Sequence, residues 1–336
     1  MNFDTKTPVS IVASMRNSAT TIESFLNGLI SQQYPITEIM LFDNGSTDDS
    51  VRIAEEIASR SSVPLRLIKR TAECALADSY NSGAAMAVSD LVVFCHSDGA
   101  FPSDGELEKL TAPLRSDPNA VAAYPLLLMP RDVWNLFPFW QKRLFAKALE
   151  REEPSQCGKF DCVRKDVWLK IGGLDGKRFN STCGYGGEDA DVNFRLEKVG
   201  ARVSTDARVI HLHDRSGRFA LRSLFATRKL LVRTYGKILR FQGMRSALKR
   251  KLLLFVRPAL AVFPLIYPPW TLLPGLALQL AFSLANSWGM YASRSALLNW
   301  RILLLPFVDV ALLYYETFWF IEGLFTRPAD ACCRRT

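Results

Sequence analysis

Leu91-Val92-Val93-Phe94-Cys95-His96-Ser97-Asp98 is an apolar run that stops abruptly at an imidazole, a hydroxyl and a carboxylate. Five consecutive apolar residues read as a buried strand, and the polar residues then mark its end. The same shape occurs twice upstream. Val9-Ser10-Ile11-Val12-Ala13 runs into Ser14-Met15-Arg16-Asn17, and the strand Glu38 to Phe42 runs into Asp43-Asn44-Gly45-Ser46-Thr47-Asp48. Leu65 to Lys69 reads as a further strand. Helices are predicted over Thr20 to Ile30, from the Asp-rich turn to about Ser59, and over roughly Ala75 to Val88. Four alternations of strand and helix predict an α/β fold: a mostly parallel central sheet with helices on both faces. Ligands of such sheets gather at the carboxyl ends of the strands, where these polar clusters fall. No Gly-x-Gly-x-x-Gly follows the first strand and no Walker-type loop is present, which argues against the usual dinucleotide and P-loop sites.

Further along, Gly186-Gly187-Glu188-Asp189-Ala190-Asp191-Val192-Asn193-Phe194-Arg195 places two adjacent carboxylates behind a glycine pair. Glycine lets backbone approach a ligand closely, and Val192, Phe194, Leu196 and Val199 predict a helix that holds the acids. Asp189 is the candidate general base, and Glu188 the residue that orients an acceptor or the helix start. Arg195 is expected to pair with an acid at i−4. The chain has three histidines: His96, His211 and His213. In an extended segment His211 and His213 point to one face, so either can join Asp98 and His96 at a cation. One carboxylate oxygen with imidazole nitrogens suits Mn²⁺ and tolerates Mg²⁺.

The formal net charge is +9, and from Arg215 to Val308 there is no Asp or Glu. Arg222, Arg228, Lys229, Arg233, Lys237, Arg240, Arg245, Lys249, Arg250 and Lys251 alternate with Leu and Phe at helical spacing, the pattern of an amphipathic helix in an anionic headgroup layer. This basic run leads into apolar sequence, which favours a membrane partner over nucleic acid. Two apolar stretches follow, Pro258 to Tyr291 and Ile302 to Phe325, each long enough to span. Their basic flanks predict a hairpin with both ends in the cytoplasm. Pro264, Pro268, Pro269 and Pro274 interrupt the first stretch, so its span is expected nearer Thr271 to Ala292. Asp309, Glu316 and Glu322 in the second are costly in lipid, which leaves a shallow, non-spanning lobe as the alternative. The expected organisation is a catalytic domain at 1–216, interfacial helices at 217–257 and a membrane-associated region at 258–336. Met1 to Pro8 is polar, so the catalytic part is expected on the cytoplasmic side of a cytoplasmic or inner membrane. Seven unevenly spaced cysteines read as reduced thiols. The insertion from Pro125 to Pro154 carries Trp134, Phe137, Phe139, Trp140 and Phe145, which fit an acceptor groove, lipid contact or plain core packing.

The order of these motifs, over about residues 8 to 220, resembles the family 2 glycosyltransferases of the GT-A fold. Five features carry the resemblance: the Asp43 to Asp48 turn, His96-Ser97-Asp98 in place of Asp-x-Asp, Gly172-Gly173-Leu174-Asp175, the Glu188-Asp189 pair, and a His after the last core strand. It implies an inverting, metal-dependent transfer of a sugar from a nucleotide-diphosphate donor, with UDP as the expected nucleotide, to a lipid-linked or cell-surface glycan acceptor. Ser14, Arg16, Asn17, Asp43, Asn44, Asn81, His96, Ser97 and Asp98 would contact the donor. The family's His to Ser interval, matched to Ser216, favours His211 as the ligand. His96 replaces the first Asp of the motif, and Tyr80 stands where relatives often carry Arg. A polyprenyl-phosphate sugar synthase and a catalytically silent scaffold of the same fold are the competing readings.

Overall fold

The computed structural model describes residues 6–70, 76–154, 158–179, 186–213, 217–242 and 253–326. The chain divides into two compact units: Met1–Pro130, Glu150–Thr182 and Glu188–Ser216 form one, and Arg131–Leu149, Cys183–Gly187 and Gly217–Thr336 form the other.

The first unit is built on a nine-stranded mixed sheet. Its strands are β1 Val9–Met15, β2 Ile36–Asn44, β3 Leu65–Arg70, β4 Leu91–His96, β5 Gly99–Ala100, β6 Ala120–Leu128, β7 Glu152–Pro154, β8 Phe160–Arg164 and β9 Ala201–His211. They lie in the order β3-β2-β1-β4-β8-β6-β9-β5, with β7 on β6. The four predicted strands are parallel neighbours, with Val9 opposite Leu91 and Ser14 opposite His96. β8 enters antiparallel between β4 and β6. Alternate side chains of β1 feed two cores, as the two-residue period of a strand requires. Val9, Ile11, Ala13 and Met15 meet α1 (Ile22–Ile30), α2 (Ser50–Arg60) and α4 (Glu106–Ser116). Val12 faces the other way, toward α3 (Leu76–Met86), α7 (Lys165–Lys170) and α8 (Glu188–Leu196). Both sheet faces are therefore covered, which is why these strands read as continuous apolar runs. Cys95 and Cys162 are buried free thiols in this core.

α3 lies close on β1. A Cβ at Gly83 would run into the Val12 side chain and meet Phe42 at 3.0 Å. Gly83→Ala is expected to destabilise the fold by about 1–3 kcal/mol through overpacking, seen as a lower midpoint in thermal denaturation. An unchanged midpoint would show that α3 can move away without cost.

The second unit is helical: α5 Arg131–Asn135, α6 Phe139–Leu144, α9 Leu221–Gln242, α10 Val256–Ile266, α11 Pro268–Asn286, α12 Trp288–Tyr291, α13 Arg294–Leu297 and α14 Leu305–Phe325. Trp134, Phe137, Phe139 and Trp140 of the predicted aromatic insertion are buried within it, so that segment packs a core. Among the described residues one helix, Trp300–Phe325, is long and apolar enough to cross a membrane, where the sequence predicts two. Two of the arginines expected in lipid headgroups are used inside the unit: Arg228 pairs with Glu316 at 2.6 Å and Arg233 with Glu322. Arg245, Lys249, Arg250 and Lys251 lie outside the described residues.

Candidate active site

The chain past β4 turns through Ser97 and Asp98 into the two-residue strand β5, which pairs antiparallel with the end of β9, Gly99 opposite His211. The Leu212 N–H donates to the Asp98 carbonyl at 2.8 Å. This pairing brings together side chains 113 positions apart, and His211 Nε2 lies 2.6 Å from Asp98 Oδ2. One ligand atom each from His96, Asp98 and His211 fall within 4.8 Å of one another. The His213 ring packs on His211 with centroids 3.7 Å apart, and its backbone is left-handed at φ 54°, a conformation that non-glycine residues adopt at a cost.

Burial, with a lesser push from the Lys159 ammonium, lowers the His211 imidazole; burial and His211 lower His213 further. Burial also takes His96 down to about 4. Burial by itself would raise the Asp98 carboxyl, but the neighbouring His211, with His96 and His213, holds it well below the usual carboxylate range. The cluster thus presents neutral imidazoles and an ionised carboxylate, the protonation states that ligate a metal. His96 Nε2, Asp98 Oδ1 and His211 Nδ1 are buried without hydrogen-bond partners. Buried polar atoms normally have partners, and a bound divalent cation would supply them. The donor set fits Mn²⁺ or Mg²⁺.

A cleft of about 250 Å³ adjoins the cluster, lined by Ser14, Arg16, Asn17, His96, Ser97, Asp98 and His213 together with Ser18, Thr20, Thr21 and Leu76. Six of the nine expected donor contacts thus share one wall. The other three have different surroundings. Asp43 accepts the Ser46 N–H at 3.1 Å and so shapes its own turn. Asn17 locks that turn to the end of β1 by accepting the Thr47 N–H at 2.8 Å, its φ of 51° tolerated by asparagine. Asn44 donates to Ser14 Oγ and accepts from Ser79 Oγ, tying β2 to β1 and α3. Asn81 is bonded twice to the backbone of Leu174, with N–H to carbonyl and carbonyl to N–H distances of 2.9 Å, and holds the Gly172-Gly173-Leu174-Asp175 turn. Arg195 pairs with Asp191 at 2.7 Å and donates to the carbonyls of Ile171 and Gly173, which braces the same turn.

Asp189 lies in the first turn of α8. With Val192, Asn193 and Leu196, one helical face, it lines a cavity of about 20 Å³ shared with Tyr80, Phe94, Gly158, Asp161, Trp168 and Arg202. Tyr80 forms part of the wall of this cavity. Its ring lies 6.3 Å from His96, and its hydroxyl is within hydrogen-bond distance of the Cys95 and Gly158 carbonyls. Burial, opposed by Lys159, raises the Asp189 carboxyl to about 6. The ammonium of Lys159 acts on Asp189 and on all three histidines.

Sequence reasoning missed Lys159 and Asp161. Burial raises Asp161 to about 7, only partly offset by the Gly158 N–H it accepts, and Asp189 pushes it the same way. The available signal was a lone acid inside the apolar strand Phe160-Asp161-Cys162-Val163. An acid whose folded pKa lies above its unfolded value binds its proton more tightly when folded. Its contribution to stability is therefore present in acid and is lost as pH rises from about 4 to about 7. Asp161→Asn keeps an acceptor for Gly158 and removes the buried charge. It is expected to raise the melting temperature at pH 8 by roughly 5 °C and by less at pH 5.5. Equal gains at both pH values would show that Asp161 stays ionised across the range.

A mixed sheet with helices on both faces and a candidate metal cluster at its strand ends is the architecture of the GT-A fold. Residues 10–166 match the family described as glycosyl transferase family 2. The chain is 31% identical over 105 residues to the putative glycosyltransferase EpsE of Bacillus subtilis; the match covers 31% of this chain and 37% of EpsE. It thus spans little more than a third of that relative. Among solved structures it resembles the mannosyltransferase PcManGT of Pyrobaculum calidifontis, in complex with GDP-Man and Mn²⁺. That likeness has a TM-score of 0.60 and 20% identity, covering 96% of this chain and 88% of the other. GalNAc-T7 with UDP, GalNAc and Mn²⁺ gives a TM-score of 0.51 at 14% identity, covering 74% of this chain and 54% of the other. At these identities the two structures establish the fold.

Proposed function

We propose that the protein is an inverting, metal-dependent glycosyltransferase. It transfers a sugar from a nucleotide-diphosphate donor, with UDP as the nucleotide, to a lipid-linked or cell-surface glycan acceptor at the cytoplasmic face of a membrane. The observation that carries this reading is the His96, Asp98 and His211 cluster, with His96 and Asp98 lining a hydroxyl-rich cleft. A divalent cation held there supplies positive charge where the departing diphosphate gains negative charge. Ser14, Asn17 and Ser97 offer hydrogen bonds to the donor and Arg16 a charge; His213 closes the cleft beside His211. The Asp43 turn, bonded to Asn17 of the cleft, is where the resemblance implies contact with the donor's nucleobase. Asp189, raised toward neutrality by burial, takes the acceptor hydroxyl proton, and attack from the face opposite the leaving group inverts the anomeric centre. Glu188 is buried next to it at the helix start and orients that end of the site.

The test is a thermal-shift panel of UDP- and GDP-sugars with and without Mn²⁺ on the full chain. One nucleotide sugar at a hundred times its Kd, with Mn²⁺ present, is expected to stabilise the protein by about 2.7 kcal/mol, and metal or nucleotide alone by much less. No stabilisation by any nucleotide sugar with Mn²⁺ would leave the silent scaffold as the answer.

A further inference from the structure

The acidic residues of the helical unit's long apolar segment are all neutralised from within that unit. On α14, Asp309 meets Arg143 at 2.6 Å and accepts from Ser283 and Ser287. Glu316 is held between Arg228 and Arg257, at 2.6 and 2.8 Å, and Glu322 by Arg233. Asp309, Leu312, Leu313, Glu316, Phe320 and Gly323 form one buried face of α14 at helical spacing. Phe307, Phe318, Ile321 and Phe325 form an exposed one.

The partner along the charged face is α9. A Cβ at Gly236 would collide with the Phe320 and Gly323 backbone, and one at Gly323 with the Arg233 backbone, so the two helices touch main chain to main chain. Arg240 reaches the Leu324 and Thr326 carbonyls at the end of α14. A helix bearing Arg228, Lys229, Arg233, Lys237 and Arg240 is therefore fastened along the C-terminal half of the one segment, among the described residues, apolar enough to cross a bilayer. If α14 crossed, α9 would be drawn in with it, with more basic side chains than the two glutamates can neutralise, and charge at bilayer depth is costly.

We infer that the helical unit seats in the plane of one anionic membrane leaflet, apolar face inward, and does not traverse the bilayer. This deepens the membrane placement of the proposed function and rests on it. The occupant follows from chemistry. Trp270, Leu273, Leu303 and Phe307 are about three-quarters exposed, far beyond what a soluble surface usually shows in one unit. Exposed Trp288 and Trp300, the latter under the Arg301 guanidinium, have the amphipathic form that settles at headgroup depth. Residues 217–326 carry fourteen Arg and Lys against the three acids already paired, so the surplus is positive and complements anionic lipid. An in-plane helix unit buries its apolar side several ångströms into the leaflet while the basic side chains stay at the headgroups.

The test uses the full chain in bacterial membranes and on vesicles. Arg294→Cys and Thr326→Cys, which flank α14, are treated with a membrane-impermeant maleimide, and the label beyond that of the parent chain is measured. Both are expected to label in inverted vesicles and neither in intact spheroplasts. Extra label on either position from the spheroplast side would overturn the inference, because a single span exposes one flank and a hairpin the loop. In flotation, Trp270→Glu/Leu273→Glu is expected to lose at least tenfold of its partition onto phosphatidylglycerol vesicles while keeping its Mn²⁺-dependent thermal shift with nucleotide sugar. That retained shift shows that the variant is folded. Wild-type chain that stays unbound at every lipid composition would also overturn it. If vesicle binding holds and no nucleotide sugar binds, the transferase reading fails and the membrane seat stands.

Discussion

Asp98→Ala is expected to lower turnover by about 10³ and to abolish the Mn²⁺-dependent part of donor binding. Asp98 is the one carboxylate in the His96, Asp98 and His211 cluster, and its Oδ2 lies 2.6 Å from His211 Nε2. Without it two neutral imidazoles remain, a weak set for a hard cation. Losing preorganised charge where a leaving group gains negative charge typically costs 10²–10³ in rate, and a loosened donor adds to that. The variant should still fold, because the β5–β9 pairing that positions residue 98 uses its backbone carbonyl. The measurement is steady-state transfer with titrated Mn²⁺, beside thermal shift with and without metal. Full activity at ordinary Mn²⁺ would remove the cluster from the mechanism.

Asp189→Asn is expected to reduce kcat by about 10²–10⁴, the range for a positioned general base, with the donor KM little changed. Burial disfavours the charge and pushes the Asp189 carboxyl up to about 6. The base must be ionised to act, so wild-type kcat/KM is expected to rise about tenfold per pH unit below that point and level off above it. Asn cannot titrate there, so the acid limb should vanish along with most of the rate. A variant that retained full turnover would favour an acceptor that is already anionic, as in a polyprenyl-phosphate sugar synthase. A lowered rate with the limb intact would assign the limb to another group, with Asp161, in the same cavity, the first to examine.

Asp98 and Asp189 are both legible from local sequence pattern, whereas Asp161 is not. Asp98 ends an apolar run, and the end of a buried strand is where a polar residue can reach solvent and ligand without breaking the core. Asp189 follows two glycines and opens a helix, a local pattern that needs no knowledge of the fold. Asp161 shows in the sequence only as a lone acid in an apolar strand, with nothing local to say what it does. Its importance comes from β8 lying antiparallel on β4, with Phe94 opposite Asp161, a pairing across more than sixty residues that periodicity does not encode. Asn44 and Asn81 mark the reverse limit. Both sit in motifs that resemble donor-binding sites, yet their amide groups bond Ser14, Ser79 and the Leu174 backbone. Residue type and position do not reveal where a side-chain amide points.

The C-terminal third shows the same division in its charges. The apolar stretches and the basic run were plain in the sequence, and so was the cost of Asp309, Glu316 and Glu322 in lipid. Which arginine answers which acid was not, since Arg228 and Glu316 are 88 residues apart and only the glycine-lined contact of α9 with α14 joins them.

By itself the sequence determined the alternation of strands and helices, the polar ends of the strands, and the scarcity of histidines that singles out 96, 211 and 213, because apolar periodicity and residue chemistry are local properties. Only the tertiary structure decided that β5 and β9 pair to set Asp98 on His211, that Asp161 shares a cavity with Asp189, and that the arginines of α9 neutralise the acids of α14. Those contacts depend on which distant segments become neighbours, and that is settled by how the whole chain buries its apolar surface.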